Sequence, residues 1–128
     1  MKILLDTNIL LLAAGNTLHP SAERYILDES NELYYSPANI WEIAIKHGLN
    51  RSDFYADPHL LYMSLQKSDY QQLPITAEHT LLTSTLPMIH KDPFDRILVS
   101  QSISEDISLL TTDKILTKYP ASVILAQK

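Results

Sequence analysis

Apolar residues along this chain fall in short blocks, and two of the blocks end alike. Lys2-Ile3-Leu4-Leu5 is too short for a helix, and its apolar character fits a strand buried in a parallel sheet. It stops on a carboxylate, Asp6, followed at once by Thr7 and Asn8. Far downstream, Ile107-Ser108-Leu109-Leu110-Thr111-Thr112 repeats the pattern and leads into Asp113. Open α/β sheets bind ligands outside the carboxyl ends of their strands. If these two strands lie parallel and adjacent, Asp6 and Asp113 meet at that edge.

The rest of the pattern predicts alternating helices and strands, hence an α/β fold around a mostly parallel sheet. Asn8 to Ala14 is a short helix stopped by Gly15. Pro20 to about Glu29 is a second, with Ala22, Tyr25 and Ile26 on one side. Leu33-Tyr34-Tyr35 is a short strand. Ser36-Pro37 supplies an N-cap and a first-turn proline for a helix to Gly48, and Asp57-Pro58 does the same for a helix to about Lys67. A strand is expected over Gln72 to Ile75, a helix from Ala77 to about Ser84 behind the cap Thr76, and a helix from Asp92-Pro93 to near Glu105. The strand Ser108 to Thr112, a short helix Lys114 to Tyr119 and a strand Val123 to Ala126 complete the series.

Two further acids lie on helices. The helix from Pro37 carries Ile40, Trp41, Ile43, Ala44 and Ile45 around nearly its whole circumference, leaving Asn39, Glu42, Lys46 and Asn50 as one narrow polar stripe. A helix this apolar is expected to be largely buried, so the stripe either faces solvent as a Glu42–Lys46 pair or lines an internal polar site. In His90-Lys91-Asp92-Pro93-Phe94-Asp95-Arg96, Asp92 has a structural role open to it as N-cap, whereas Asp95 sits on the first turn ahead of apolar Ile97, Leu98 and Val99. Packed beside the first strand, that helix aims Asp95 at the edge that holds Asp6. Asp6 and Asp113 also have a second reading as helix caps, where orphan N–H groups favour negative charge.

Composition narrows the chemistry. The 128 residues are enough for one domain that buries roughly two-thirds of its unfolded surface. The absence of cysteine excludes disulfides and thiolate metal sites and agrees with a cytoplasmic location. No apolar run approaches the roughly 20 residues of a membrane helix, and the N-terminus lacks the features of a signal peptide. A net charge of −5 does not advertise nucleic-acid binding, although a carboxylate cluster would account for part of it. Glycine-rich phosphate loops, serine elbows and His-Glu-x-x-His patterns are missing. The histidines His19, His47, His59, His79 and His90 include no i, i+4 pair and are expected at the surface. Four carboxylates gathered without a cation repel by several kcal/mol. Oxygen donors favour a hard ion, Mg²⁺ or Mn²⁺, the kind that serves phosphodiester hydrolysis.

Four blocks in order resemble the PIN-domain family of metal-dependent ribonucleases, and within it the VapC-like toxins of bacterial toxin–antitoxin pairs. They are LLDTN at Leu4 to Asn8, SPANIWEIAIKHGL at Ser36 to Leu49, HKDPFDRILVSQ at His90 to Gln101 and LLTTDKIL at Leu109 to Leu116. The resemblance implies a single nuclease domain over 1–128, built as a three-layer α/β/α sandwich with a five-stranded parallel sheet and usually homodimeric. By position, Asp6, Glu42, Asp95 and Asp113 match the family's four acids that hold Mg²⁺ or Mn²⁺. Thr7, Asn8 and Thr112 match its polar support residues, and Asp92 an acid typical of this branch. The resemblance also implies an RNA substrate cut to 5′-phosphate and 3′-hydroxyl ends, and a cognate antitoxin whose C-terminal segment lies across the site.

RNA approaching an acidic site calls for cations at its rim, and Lys46, Arg51, Lys91, Arg96 and Lys114 are the candidates by proximity. Phe54-Tyr55 and Leu60-Leu61-Tyr62-Met63 are candidate docking segments for the partner, with Leu60, Leu61 and Met63 fitting better as core of the helix after Pro58. The opposing class of function is a binding module that sequesters a protein or RNA, its acids serving only as caps.

Overall fold

The computed structural model describes residues 1–49 and 56–127. In chain order the elements are β1 (Lys2–Leu5), α1 (Thr7–Ala14), α2 (Pro20–Leu27), β2 (Glu32–Tyr35), α3 (Pro37–Gly48), α4 (Pro58–Lys67) and β3 (Gln71–Gln72). There follow α5 (Ala77–Thr83), α6 (Pro93–Glu105), β4 (Ser108–Thr111), a 3₁₀ turn (Lys114–Lys118) and β5 (Val123–Leu125). The strands form one parallel sheet in the order β3-β2-β1-β4-β5.

β1 sits in the centre because both of its faces are apolar. Side chains alternate across a strand, so Ile3 and Leu5 enter one core and Leu4 the other. The first core joins Leu33, Tyr35 and Leu110 of the sheet to Ile9 and Leu10 of α1, Ala22 of α2 and Leu65 of α4. The second joins Leu4 and Leu109 to Ala38 of α3, Leu98 and Val99 of α6, and Leu116 of the 3₁₀ turn. Helices thus cover both faces, giving three layers. Ile3, Leu4, Leu5, Leu109 and Leu110 are wholly buried, each stabilising the fold by roughly 1.5–3 kcal/mol.

The connectivity positions the site. The chain steps from β1 to β2 on one side and later lays β4 on the other side of β1. A crevice opens where strand order reverses in such sheets, at the carboxyl ends of the strands. Leu5 pairs with Leu110, so Asp6 emerges beside Thr111 at that switch point.

Several elements differ from the sequence expectation. β3 is only Gln71–Gln72: Leu73 N–H still bonds the Tyr35 carbonyl, but Pro74 has no N–H to continue the ladder. α2 stops at Leu27, because the Asp28 side chain takes the Ser30 N–H and hydroxyl in a turn. The helix after Asp113 is a 3₁₀ turn.

The largest departure is α3. Its polar residues Asn39 and Glu42 are buried, while Trp41 is 61% exposed, Ile45 40% and Leu49 66%. The apolar circumference is therefore buried on one side only, and the polar stripe faces the sheet edge. On α4, Leu60 and Met63 are exposed rather than core, and Leu61 alone of that trio packs on the first core. Asn50, Arg51 and Phe54-Tyr55 lie outside the described residues. Among the described residues no helix is long and apolar enough to cross a membrane.

Candidate active site

Asp6 leaves β1 at the switch point and is held from two sides. Its Oδ1 accepts the Thr7 N–H at 2.7 Å, capping α1, and its Oδ2 accepts the Thr111 hydroxyl at 2.6 Å. The Thr111 oxygen in turn accepts the Asp113 N–H at 3.0 Å, which ties the acid after β4 to the acid after β1. Asp113 caps the 3₁₀ turn through the Ile115 N–H. Both acids are caps, and both also line one cleft of about 370 Å³. The Thr7 hydroxyl oxygen accepts from the Asn39 amide, which also donates to the Leu5 carbonyl. Asn8 donates to the Thr112 hydroxyl at 2.9 Å, across the mouth of the cleft.

The inward stripe of α3 delivers Glu42 to the same cleft. The Glu42–Lys46 pair exists, with Nζ 2.7 Å from Oε2, but its acid is buried rather than exposed. The other oxygen, Oε1, is buried with no hydrogen-bond partner among the described residues. A buried carboxylate oxygen without a donor is costly.

α6 brings the remaining acids. Asp92 caps it, accepting the Phe94 N–H at 2.8 Å, and lines the cleft beside Asp95. His90 is there as well, with Nε2 at 3.1 Å from Oδ2 of both Asp95 and Asp113. Its placement overturns the expectation of surface histidines, as does His79, which is buried, completes a capping box at the start of α5 and meets Glu105. Spacing along one helix could not reveal His90, because Asp113 reaches it only through the fold.

The charges do not sit comfortably together. Burial, and then the negative charges of Asp6, Asp92, Glu42 and Asp113, push Asp95 up to about 8. Burial also raises Asp6, against the lowering effect of its two hydrogen bonds, with Glu42 and Asp113 adding to the rise. The donor set of four carboxylates, with an orphaned Glu42 oxygen among them, fits a hard divalent cation in chemistry and in charge. His90, Asp95 and Asp113 alone offer three ligand atoms within 4.8 Å of one another.

The candidate cations divide. Lys46 lines the acidic cleft. Lys91 is exposed and borders a neighbouring apolar groove with Trp41 and Phe94, which meet edge to face at 5.1 Å. Lys114 is exposed directly after Asp113. Arg96 serves the fold instead: its guanidinium donates to the carbonyls of Thr83 and Pro87 and to the Tyr119 hydroxyl. Arg51 lies outside the described residues. Thr111 and Asn39, which hold Asp6 and Thr7, were not among the support residues expected from sequence.

Comparison with known proteins places the fold. The family model described as PIN domain matches residues 3–121. No curated protein matches the chain. Among solved structures, VapBC2 from Rickettsia felis bound to a DNA fragment from its promoter is similar with a TM-score of 0.72 at 19% identity, covering 99% of this chain and 100% of that one. DNA-bound VapBC from Salmonella typhimurium is similar with a TM-score of 0.70 at 17% identity, covering 99% of each chain. VapBC-1 from nontypeable Haemophilus influenzae gives 0.64 at 18% identity over 100% of both chains. At these identities the likeness is one of fold.

Proposed function

This chain belongs to the PIN domain family, and from that premise we propose that it is a divalent-metal-dependent endoribonuclease, the toxin of a toxin–antitoxin pair. The observation that carries the reading is the convergence of Asp6, Glu42, Asp95 and Asp113 on one cleft at the switch point of the sheet. In this reading the four carboxylates hold one or two Mg²⁺ or Mn²⁺ ions. Bound there, the cation supplies charge neutralisation at an RNA phosphate and acidifies the attacking water.

The chain's own residues do the rest. Thr7, Thr111 and Asn39 keep Asp6 and its turn fixed through the hydrogen bonds described above. Asn8 and Thr112 form a polar lip for the sugar–phosphate backbone. Asp92 acts through the start of α6, which it caps, and so sets the direction of Asp95. Lys46, Lys91 and Lys114 form the cationic rim. Hydrolysis leaves 5′-phosphate and 3′-hydroxyl ends. The protein is read as cytoplasmic and homodimeric, its activity restrained by a cognate antitoxin, and its structural likeness to VapBC complexes supports that partner.

The test is direct. Purified protein incubated with total RNA and Mn²⁺ or Mg²⁺ should yield discrete fragments with 5′-phosphate ends, and EDTA should stop it. Expression without an antitoxin should slow bacterial growth. Intact RNA with either ion, together with normal growth, would return the chain to the binding-module class.

Two further outcomes are expected. Asp95 has an ordinary value of 3.8 and is raised to about 8 in the fold. The folded state therefore keeps a proton that the unfolded state releases, and the ion-free protein loses stability as pH rises through that window. Asp6, also raised, acts in the same sense. Thermal unfolding in EDTA should show a lower midpoint at about pH 8 than at about pH 6, and Mg²⁺ should raise the midpoint more at the higher pH, where protons compete less. An ion effect independent of pH would remove Asp95 from the ligand set. As for RNA, three lysines on phosphates predict a slope of log affinity against log salt of about −2 for a single strand. A flat salt response would reject the rim.

A further inference from the structure

We propose that His90 is a positioning residue of this cleft, its ring N–H holding the carboxylates of Asp95 and Asp113 in the arrangement that receives the cation. The inference rests on the metal-centre reading and deepens it, because the side chain it adds is not one of the acids.

The ring is fixed before it meets them. Its Nδ1 lies 3.2 Å from the Asp92 backbone nitrogen and accepts that N–H, so the ring proton belongs on Nε2. Nε2 then donates to Asp113 Oδ2 at 3.1 Å, and Asp95 Oδ2 lies at the same 3.1 Å from it. The backbone of His90 is clamped as well. Its N–H donates to the Tyr119 hydroxyl at 2.8 Å, and that hydroxyl donates back to the His90 carbonyl at 3.3 Å. Tyr119 is buried and receives an Arg96 N–H at 3.2 Å.

A ring held at the backbone and at Nδ1 does not adapt to the acids; they orient to it. Asp113 is drawn onto this donor, with Asp95 Oδ2 at the same distance from it, and Asp113 is anchored at its second oxygen by the Ile115 N–H at 3.0 Å. Partners outside the ligand set commonly fix ligands in this way. Direct coordination by His90 fits less well. An ion on Nε2 would leave the ring proton on Nδ1, facing the Asp92 N–H, and a bond at the start of α6 would be lost.

The experiment measures Mn²⁺ binding by calorimetry and electron paramagnetic resonance in the wild type, Asp6→Asn, His90→Asn and His90→Gln, with thermal midpoints as the control for folding. The Asn amide sits near the Nδ1 position and does not reach the two acids, whereas the Gln amide nitrogen reaches the Nε2 position. His90→Asn should weaken Mn²⁺ binding about 10–100-fold, and His90→Gln should stay within about threefold of the wild type. Affinity in His90→Asn equal to or tighter than the wild type overturns the inference. A loss as great in His90→Gln as in His90→Asn also overturns it, since the ring would then be a ligand.

If the wild type and Asp6→Asn bind Mn²⁺ alike, the metal-centre reading falls and takes this inference with it. If those two differ while His90→Asn matches the wild type, only the role of His90 falls. Should a variant unfold, nitrogen NMR of the wild-type ring decides. An Nε2-protonated ring that persists with Mg²⁺ bound supports positioning, and loss of that proton on Mg²⁺ addition overturns it.

Discussion

Replacing Asp6 by Asn should lower RNA cleavage by at least about 100-fold, the scale on which one preorganised electrostatic group contributes to a transition state, while leaving the ion-free protein at least as stable to heat. The two effects have opposite signs because the acid has two jobs. As a cap it needs only an oxygen for the Thr7 N–H, and the Asn carbonyl supplies one in the same place. The amide nitrogen then faces the Thr111 hydroxyl, which can turn to accept from it. As a charge, Asp6 is buried beside Glu42 and Asp113, which raises it from its ordinary value. Removing that charge relieves the ion-free fold and takes a ligand from the cation. Cleavage assays and thermal unfolding, each with EDTA and with Mn²⁺, read both effects. Activity within a few-fold of the wild type would reduce Asp6 to a helix cap. A marked drop in stability without loss of activity would do the same.

Replacing Arg96 by Ala should destabilise the fold by about 2–4 kcal/mol, since several donors to backbone carbonyls disappear together. Its guanidinium spans Thr83 at the end of α5, Pro87 in the following segment and Tyr119 beyond the 3₁₀ turn, at 2.7, 3.0 and 3.2 Å. Lysine cannot reproduce that planar fork, so Arg96→Lys should lose most of the same stability. Urea unfolding monitored by far-UV circular dichroism measures the change. A loss below about 0.5 kcal/mol, the range of ordinary surface substitutions, together with weaker RNA binding, would return Arg96 to the cationic rim.

Much of this architecture was legible in the residues. Runs such as Ile3-Leu4-Leu5 and Leu109-Leu110, too short for helices, fit the middle of a covered parallel sheet, and proline at the first turn marked the starts of α2, α3, α4 and α6. The ends were less legible. α2 ends at Leu27 rather than near Glu29, because the stop is made by the Asp28 side chain in a turn with Ser30 and not by a glycine. On α3, periodicity found the polar stripe but not its direction, because a stripe that faces water and one that faces an internal site have the same spacing. Only the Asn39 contacts to Leu5 and Thr7 settle that. His90 and Thr111 escaped for a related reason: each acts across more than twenty residues of chain, and no local pattern encodes that distance.

The strand order has a consequence for the time course of synthesis. β1 and β4 are neighbours in the sheet, yet Asp6 and Thr111, which bond each other, are 105 residues apart in the chain. At translation rates of about 5–20 residues per second, the two walls of the cleft are made roughly 5–20 s apart. Throughout that interval a nascent chain carries one wall without the other, and a polypeptide that stalls before β4 never encloses the cleft.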